Sequence, residues 1–266
     1  MIQLKHVLAV TVIIVLSCNK NTIHQRIDPF EEINTLTERG FFKEALNKCD
    51  SLIEIDESSS KAFGYKGYIN YVLKDYTKSR ENLLEAIRLN INYAESYHNL
   101  GLVYYEVNQC DSSEIMFLRA IELDPTNHKT YFNLSQIYID QNKFSKAEKM
   151  CKKALNLQKD YSKAINNLGA ISYSREKFDS AEYFYKAALQ LDSNYFVPHY
   201  NLAELYLRRN QKDSAKIFID KCIALNSNFK EAYILKSEII KDEATTEEKL
   251  HLEEVSSSLI YRKHCR

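Results

Sequence analysis

The sequence predicts an all-α fold, a solenoid of stacked antiparallel helix pairs, and three observations predict it. A self-similarity of 34 residues holds register through six copies with no insertion. Each copy carries two stripes of apolar residues at helical spacing. Only 5 Gly and 3 Pro occur in 266 residues, too few to punctuate the strands and tight turns of a sandwich or barrel.

The register is set by placing Gly101 at position 8 and stepping by 34. Position 20 is then Ala45, Ser79, Ser113, Ala147, Ala181 and Ala215. Position 28 is Ile53, Ile87, Ile121, Leu155, Leu189 and Ile223. Position 30 is Ile55, Leu89, Leu123, Leu157, Leu191 and Leu225. Positions 4, 7, 8 and 11 recur at i, i+3, i+4, i+7 and define a helix A, as in Tyr97, Leu100, Gly101 and Tyr104. Positions 17, 20, 24, 27 and 28 define a helix B, as in Phe144, Ala147, Cys151, Ala154 and Leu155. One hairpin cannot bury both stripes, so neighbours must stack. Small residues at 8 and 20 let the two helices of a hairpin approach, and Gly67, Gly101 and Gly169 are expected at the closest points.

From the N-terminus, Lys5 precedes an apolar run, Val7 to Leu16, too short to span a bilayer core of about 20 helical residues. It reads as the apolar region of a signal peptide. Residues 26–242 hold the solenoid, with repeats at 26–59, 60–93, 94–127, 128–161, 162–195 and 196–229 and a partial one at 230–242. Residues 243–266 are expected to add a capping helix and a basic tail ending in Arg262, Lys263 and Arg266.

Two resemblances follow from these residues. The repeat is similar to the tetratricopeptide repeat family, whose W-x2-L-G-x2-Y, Ala, aromatic, Ala, Pro pattern is best met by Leu100, Gly101, Tyr104, Phe117, Ala120 and Pro125. Ser113 replaces the first Ala, and no Trp occurs in the chain. The resemblance implies a right-handed superhelix with helices A on its concave face. Val15-Leu16-Ser17-Cys18 resembles the lipobox of bacterial lipoproteins. That resemblance implies a signal peptide over 1–17, diacylglycerol on Cys18, a polar tether over 18–25 and a bilayer as one partner. Several acyl chains together hold a protein on a membrane where one would not. With Asn19 in place of Asp, the expected location is the outer membrane, facing the periplasm.

Charge and motifs exclude several classes. With 36 basic and 36 acidic residues, no dominant basic stripe points to nucleic acid. The seven His form no H-E-x-x-H, and neither a nucleophile elbow nor C-x-x-C occurs, so no enzyme, metal or cofactor is expected. Cys49, Cys110, Cys151 and Cys222 fall on inward positions and are expected as free, buried thiols. His199 falls on a packing position.

The family resemblance places ligand-facing residues at positions 2, 5, 6, 9, 12 and 13 of helix A. Here these include Tyr65, Tyr68, Tyr71, His98, Asn99, Tyr105, Lys129, Phe132, Asn133, Gln136, Lys163, Asn167, Tyr173, Tyr200, Asn201 and Arg208. Asn99, Asn133, Asn167 and Asn201 recur at position 6, where an amide can hold a peptide backbone or else only hold the repeats together. The Tyr row likewise reads as a hot-spot patch or as packing. The family's clamp for C-terminal carboxylates is incomplete: Gly64 and Tyr68 stand where it needs Lys and Asn, and Asn133 where it needs Arg. The expected function is a membrane-anchored scaffold binding an envelope protein or extended peptide. The alternative is a sensor binding a small ligand or glycan on the Tyr-lined groove.

Overall fold

The computed structural model describes residues 28–241 and positions 245, 250, 252, 254, 255 and 257. The expected signal peptide, Cys18 and the tether lie outside the described residues, as does most of 243–266. Among the described residues, thirteen helices run from 28 to 241. The first of each pair, helix A, is α1 (Pro29–Glu38), α3 (Ser60–Val72), α5 (Ala94–Glu106), α7 (His128–Asp140), α9 (Ser162–Ser174) and α11 (Phe196–Arg208). The second, helix B, is α2 (Phe42–Ile55), α4 (Tyr76–Leu89), α6 (Cys110–Leu123), α8 (Phe144–Leu157), α10 (Phe178–Leu191) and α12 (Lys212–Leu225). A further helix A, α13 (Lys230–Ile239), follows. From α3 onward each helix A starts 34 residues after the one before. Each helix packs only on its hairpin mate and on the adjoining hairpins, as a one-dimensional stack requires.

Both turns have a repeated physical cause. Helix A ends at position 15 in the left-handed region, at Gly40, Lys74, Asn108, Asn142, Glu176 and Asn210, with φ from 57° to 79°. The next N–H reaches back to the position-11 carbonyl, as Gln109 N to Tyr104 O at 2.8 Å, while Asn108 N donates to Tyr105 O at 3.0 Å. This is the Schellman closure, which satisfies carbonyls that the helix end leaves open. Helix B ends at position 31 in an extended residue. There Asp56, Asn90, Asp124, Asp192 and Asn226 accept the N–H two residues on with their side chains.

Lys74 and Glu176 hold the left-handed conformation at a steric cost that Gly40 escapes. Glu176→Gly is therefore expected to raise stability by about 0.5–1 kcal/mol, the strain relieved less the added entropy of the unfolded chain. Asn108→Gly should gain less, because Asn tolerates this region. Thermal melting of the two variants reads the difference, and a loss of stability in Glu176→Gly would contradict this account of the turn.

The core is a row of matched volumes at the A–B crossings. Positions 8 and 24 pair as Ile33/Cys49, Gly67/Leu83, Gly101/Phe117, Ser135/Cys151, Gly169/Tyr185 and Ala203/Ile219. Where position 8 is Gly, position 24 is large. A Cβ on Gly67, Gly101 or Gly169 would meet Leu83, Phe117 or Tyr185 at 2.6, 2.7 or 2.5 Å. Where position 8 is Ile or Ser, position 24 shrinks to Cys. The Ser residues at position 20 also gain a reason: the Ser79 and Ser113 hydroxyls donate to the Gly67 and Gly101 carbonyls, both at 2.7 Å. At the far end Leu252 is buried in one cluster with Ile239 and Ile240, which closes the stack.

Cys49, Cys151 and Cys222 are free and buried. Cys110 departs from the expectation. It opens α6 at position 17, where Phe42, Tyr76, Phe144 and Phe178 stand half-buried in other repeats, and it is half-buried and disulfide-bonded. Burial pushes the Cys49, Cys151 and Cys222 thiols up to about 12, 11 and 12. In native protein at pH 8 these three should resist alkylation, and all three should react once denatured. Mass spectrometry after timed iodoacetamide treatment checks this, and fast native labelling of any of them would contradict their burial.

Candidate functional site

The inner surface of the stack is built by helices A. A groove of about 710 Å³ runs along α1, α3, α5, α7 and α9. Tyr65, Tyr68, Tyr71, His98, Asn99, Lys129, Phe132, Asn133 and Lys163 all line it, together with Tyr161, which the sequence reading did not single out. Tyr161 closes the preceding B–A turn and stacks edge-on to Phe132 at 5.4 Å and to His128 at 4.8 Å. A second cavity of about 810 Å³ lies between α9, α11 and α13 and takes in Tyr173, Tyr200 and Arg208. Tyr105, Gln136, Asn167 and Asn201 line neither.

Burial divides the Tyr row. Tyr68 is 37% exposed and stacks on Tyr71, ring centres 6.5 Å apart. Tyr71 instead packs on Tyr76 and on the cluster of Leu83, Leu100 and Val103, and burial holds its hydroxyl well above the usual phenol range. Tyr65 tilts on Phe30 at 5.3 Å, and its hydroxyl accepts from Asn34 at 3.1 Å. The Tyr105 hydroxyl donates to Asp140 in the next repeat at 2.7 Å. Tyr200 stacks edge-on to Phe229.

The position-6 amides divide as well. Asn167 donates to Ser135 Oγ at 3.0 Å and to Gln136 Oε1 at 3.2 Å, and Asn201 donates to Asn166 Oδ1 at 2.8 Å. These two couple adjacent helices A. Asn99 and Asn133 line the groove with no side-chain hydrogen bond among the described residues. Asn99 is only 4% exposed, so the half-buried Asn133 amide, the exposed Lys129 and Lys163 ammonium groups, and Tyr68 are what the groove offers to a ligand. Such a surface gives paired hydrogen bonds to a peptide backbone from the Asn133 amide and low-entropy apolar area from the rings.

His98 is only 8% exposed, its Nδ1 lies 2.8 Å from Thr130 Oγ1, and its ring packs on Phe117. Burial first, and then Lys129, push its pKa down to about 4, so the imidazole is neutral near pH 7. His199 is buried against Phe218, and its Nδ1 has no partner among the described residues. No group of three His, Cys, Asp or Glu able to hold a metal occurs among the described residues, and none of their helices is long and apolar enough to cross a membrane.

Outside the groove, position 21 repeats a polar tie between hairpins. Glu114 accepts the Tyr138 hydroxyl at 2.8 Å, Glu148 takes Arg175 at 2.7 Å, and Glu182 takes both Tyr206 and Arg209 at 2.7 and 2.6 Å. Lys186, Tyr206 and Arg209 hold the Glu182 carboxyl down at about 2. The repeats are thus locked one to the next, and the inner surface is a preformed one.

Comparison with known proteins agrees with this geometry. Tetratricopeptide repeat models match residues 67–108, 94–127 and 173–239. The model of the C-terminal ARM domain of tetratricopeptide repeat protein 21 matches residues 120–197. No curated protein matches the sequence significantly. A chain of the APC/C hetero-tetramer Cut9–Hcn1 superposes with a TM-score of 0.78 at 13% identity, over 89% of this chain and 47% of that one. This chain therefore spans about half of that protein's length. A tetratricopeptide repeat protein from Parabacteroides merdae gives a TM-score of 0.72 at 14% identity, over 88% and 93% of the two chains. PilW, a type IV pilus biogenesis factor, gives 0.66 at 18% identity, over 77% and 94%. At these identities the likeness is one of fold. With the 34-residue register, the position-8 and position-24 pairs, and three repeat models and one ARM-domain model that together run from residue 67 to residue 239, the chain belongs to the tetratricopeptide repeat family.

Proposed function

We propose that this protein is a lipid-anchored adaptor of the bacterial envelope that holds a partner protein or extended peptide on its concave face and has no catalysis of its own. Tetratricopeptide solenoids are protein-interaction scaffolds, and the observation that carries the reading here is the groove. Across α3 and α7 it aligns exposed Tyr68 with the half-buried amide of Asn133, which the fold leaves uncommitted. A scaffold needs such a rigid, ligand-free row, and an enzyme would need a convergent set of titratable groups instead. The envelope location and the anchor rest on the apolar run and on Val15-Leu16-Ser17-Cys18.

Two experiments separate the parts. Metabolic labelling with an alkynyl fatty acid should mark the wild type and not Cys18→Ser, and the variant should leave the membrane fraction. Labelling that persists would remove Cys18 as the site. Affinity capture from solubilised envelopes should recover a discrete protein with the wild type and lose it, by tenfold or more, with Tyr68→Ala plus Asn133→Ala. Tyr71 is left intact because it supports the core. If no protein depends on these residues while a glycan array gives a Tyr68-dependent signal, the scaffold reading gives way to the ligand-sensing one.

A further inference from the structure

We propose that the cavity between α9, α11 and α13 is the subsite that takes a lysine or arginine side chain of the bound partner segment. This rests on the concave face being the partner-binding face, and it names the chemistry that one end of that face selects.

The walls are two phenol rings, Tyr173 and Tyr200, and the aliphatic surface is supplied by Leu207 and Ile234. Ile234 is 48% exposed, an unusual state for an isoleucine on an inner face that neighbouring helices elsewhere fill. Three carboxyl groups line the same space, Glu204, Glu231 and Glu238, and none of them forms an ion pair with another described residue. Glu204 is half-buried, and its interaction is with the Tyr173 hydroxyl. Burial, with Glu238 adding to it, raises its carboxyl above the usual range. Arg208 and Lys230 also line the cavity, so acids exceed bases by one; Arg208 is exposed.

An apolar occupant would bury Glu204 further with its charge unmet, and an acidic one would add a like charge. A basic side chain meets both demands. Its methylene stem lies against the rings and Ile234, its head group meets the carboxylates in charge-assisted hydrogen bonds, and the ring faces attract the cation. The middle of the inner face has the opposite character, with exposed Lys129 and Lys163 near Asn99 and Asn133. The partner segment is therefore sorted by charge along its length, its basic residue towards α13.

The test uses methyl NMR of the full chain with three probes, acetyl-Leu-Arg-Leu-amide, acetyl-Leu-Glu-Leu-amide and acetyl-Leu-norleucine-Leu-amide. The Arg peptide should move the Ile234 and Leu207 methyl signals saturably and bind about tenfold more tightly than the other two. Glu204→Gln, which keeps the hydrogen bond to Tyr173, should remove most of that preference. Glu231→Gln, on a separate helix, should weaken it independently, so that a folding defect in one variant does not decide the result. Equal response to the three peptides, or no shift of Ile234 with the Arg peptide, overturns the inference. So does self-association that Glu204→Gln abolishes, which would give the cavity to a second copy of the chain. If Tyr68-dependent capture of a partner survives such a result, only this subsite is wrong; if that capture also fails, the reading beneath it is.

Discussion

Gly101→Ser combined with Phe117→Cys is expected to destabilise the chain by less than the sum of the two single changes. A Cβ at residue 101 would lie 2.7 Å from Phe117 Cε1, and Phe117 is 1% exposed. Overpacking of this kind costs about 1–3 kcal/mol. Phe117→Cys alone empties the crossing and should cost about 3 kcal/mol through lost contacts and the cavity left behind. Together they rebuild the Ser135/Cys151 pair that the next repeat already uses. The coupling energy should be about 1–3 kcal/mol, read from a double-mutant cycle in urea. Strict additivity would mean that positions 8 and 24 do not share one volume.

The second large effect is on acid stability. His98 is neutral in the fold down to about pH 4, whereas in the unfolded chain it takes a proton near 6.5. Between those values the unfolded state binds the extra proton, so stability rises with pH across the window and is lost as pH falls through it. The full difference is about 3 kcal/mol. His98→Gln can keep a hydrogen bond to Thr130 and has no proton to gain, so its stability should fall less between pH 6.5 and 4 than that of the wild type. Equal pH slopes in denaturant melts of the two proteins would contradict the burial of a neutral imidazole.

Much of the fold was legible in the sequence because a one-dimensional stack repeats its instructions. The period placed Gly101 and Gly169 at crossings, and in the fold Phe117 and Tyr185 pack against them. What periodicity could not show was the exchange of volume between positions 8 and 24, since it joins residues 16 apart whose sizes vary together. Nor did it reveal the left-handed turn at Lys74 and Glu176, because neither residue type advertises that conformation.

The groove on helices A was legible in the sequence, and which of its residues the fold already uses was not. Asn99 and Asn167 occupy the same position, yet only Asn167 has Ser135 and Gln136 within reach on the preceding helix A. That depends on neighbours one repeat away. His98 lines the groove, yet it is 8% exposed with its Nδ1 on Thr130, so little of it is left for a ligand. Glu231, Ile234 and Glu238 went unnoticed because 230–242 read as a partial repeat whose pattern lapses, although they stand at positions 2, 5 and 9 like other inner-face residues.

The most direct test of the account is site-specific photo-crosslinking in cells. A benzoylphenylalanine is placed at Tyr68 on the inner face or at Tyr183 on helix α10, which is 69% exposed. The account predicts a discrete covalent adduct with another protein from residue 68 and none from residue 183. An adduct from residue 183 alone would place the binding surface on helices B and contradict the assignment of function to the concave groove.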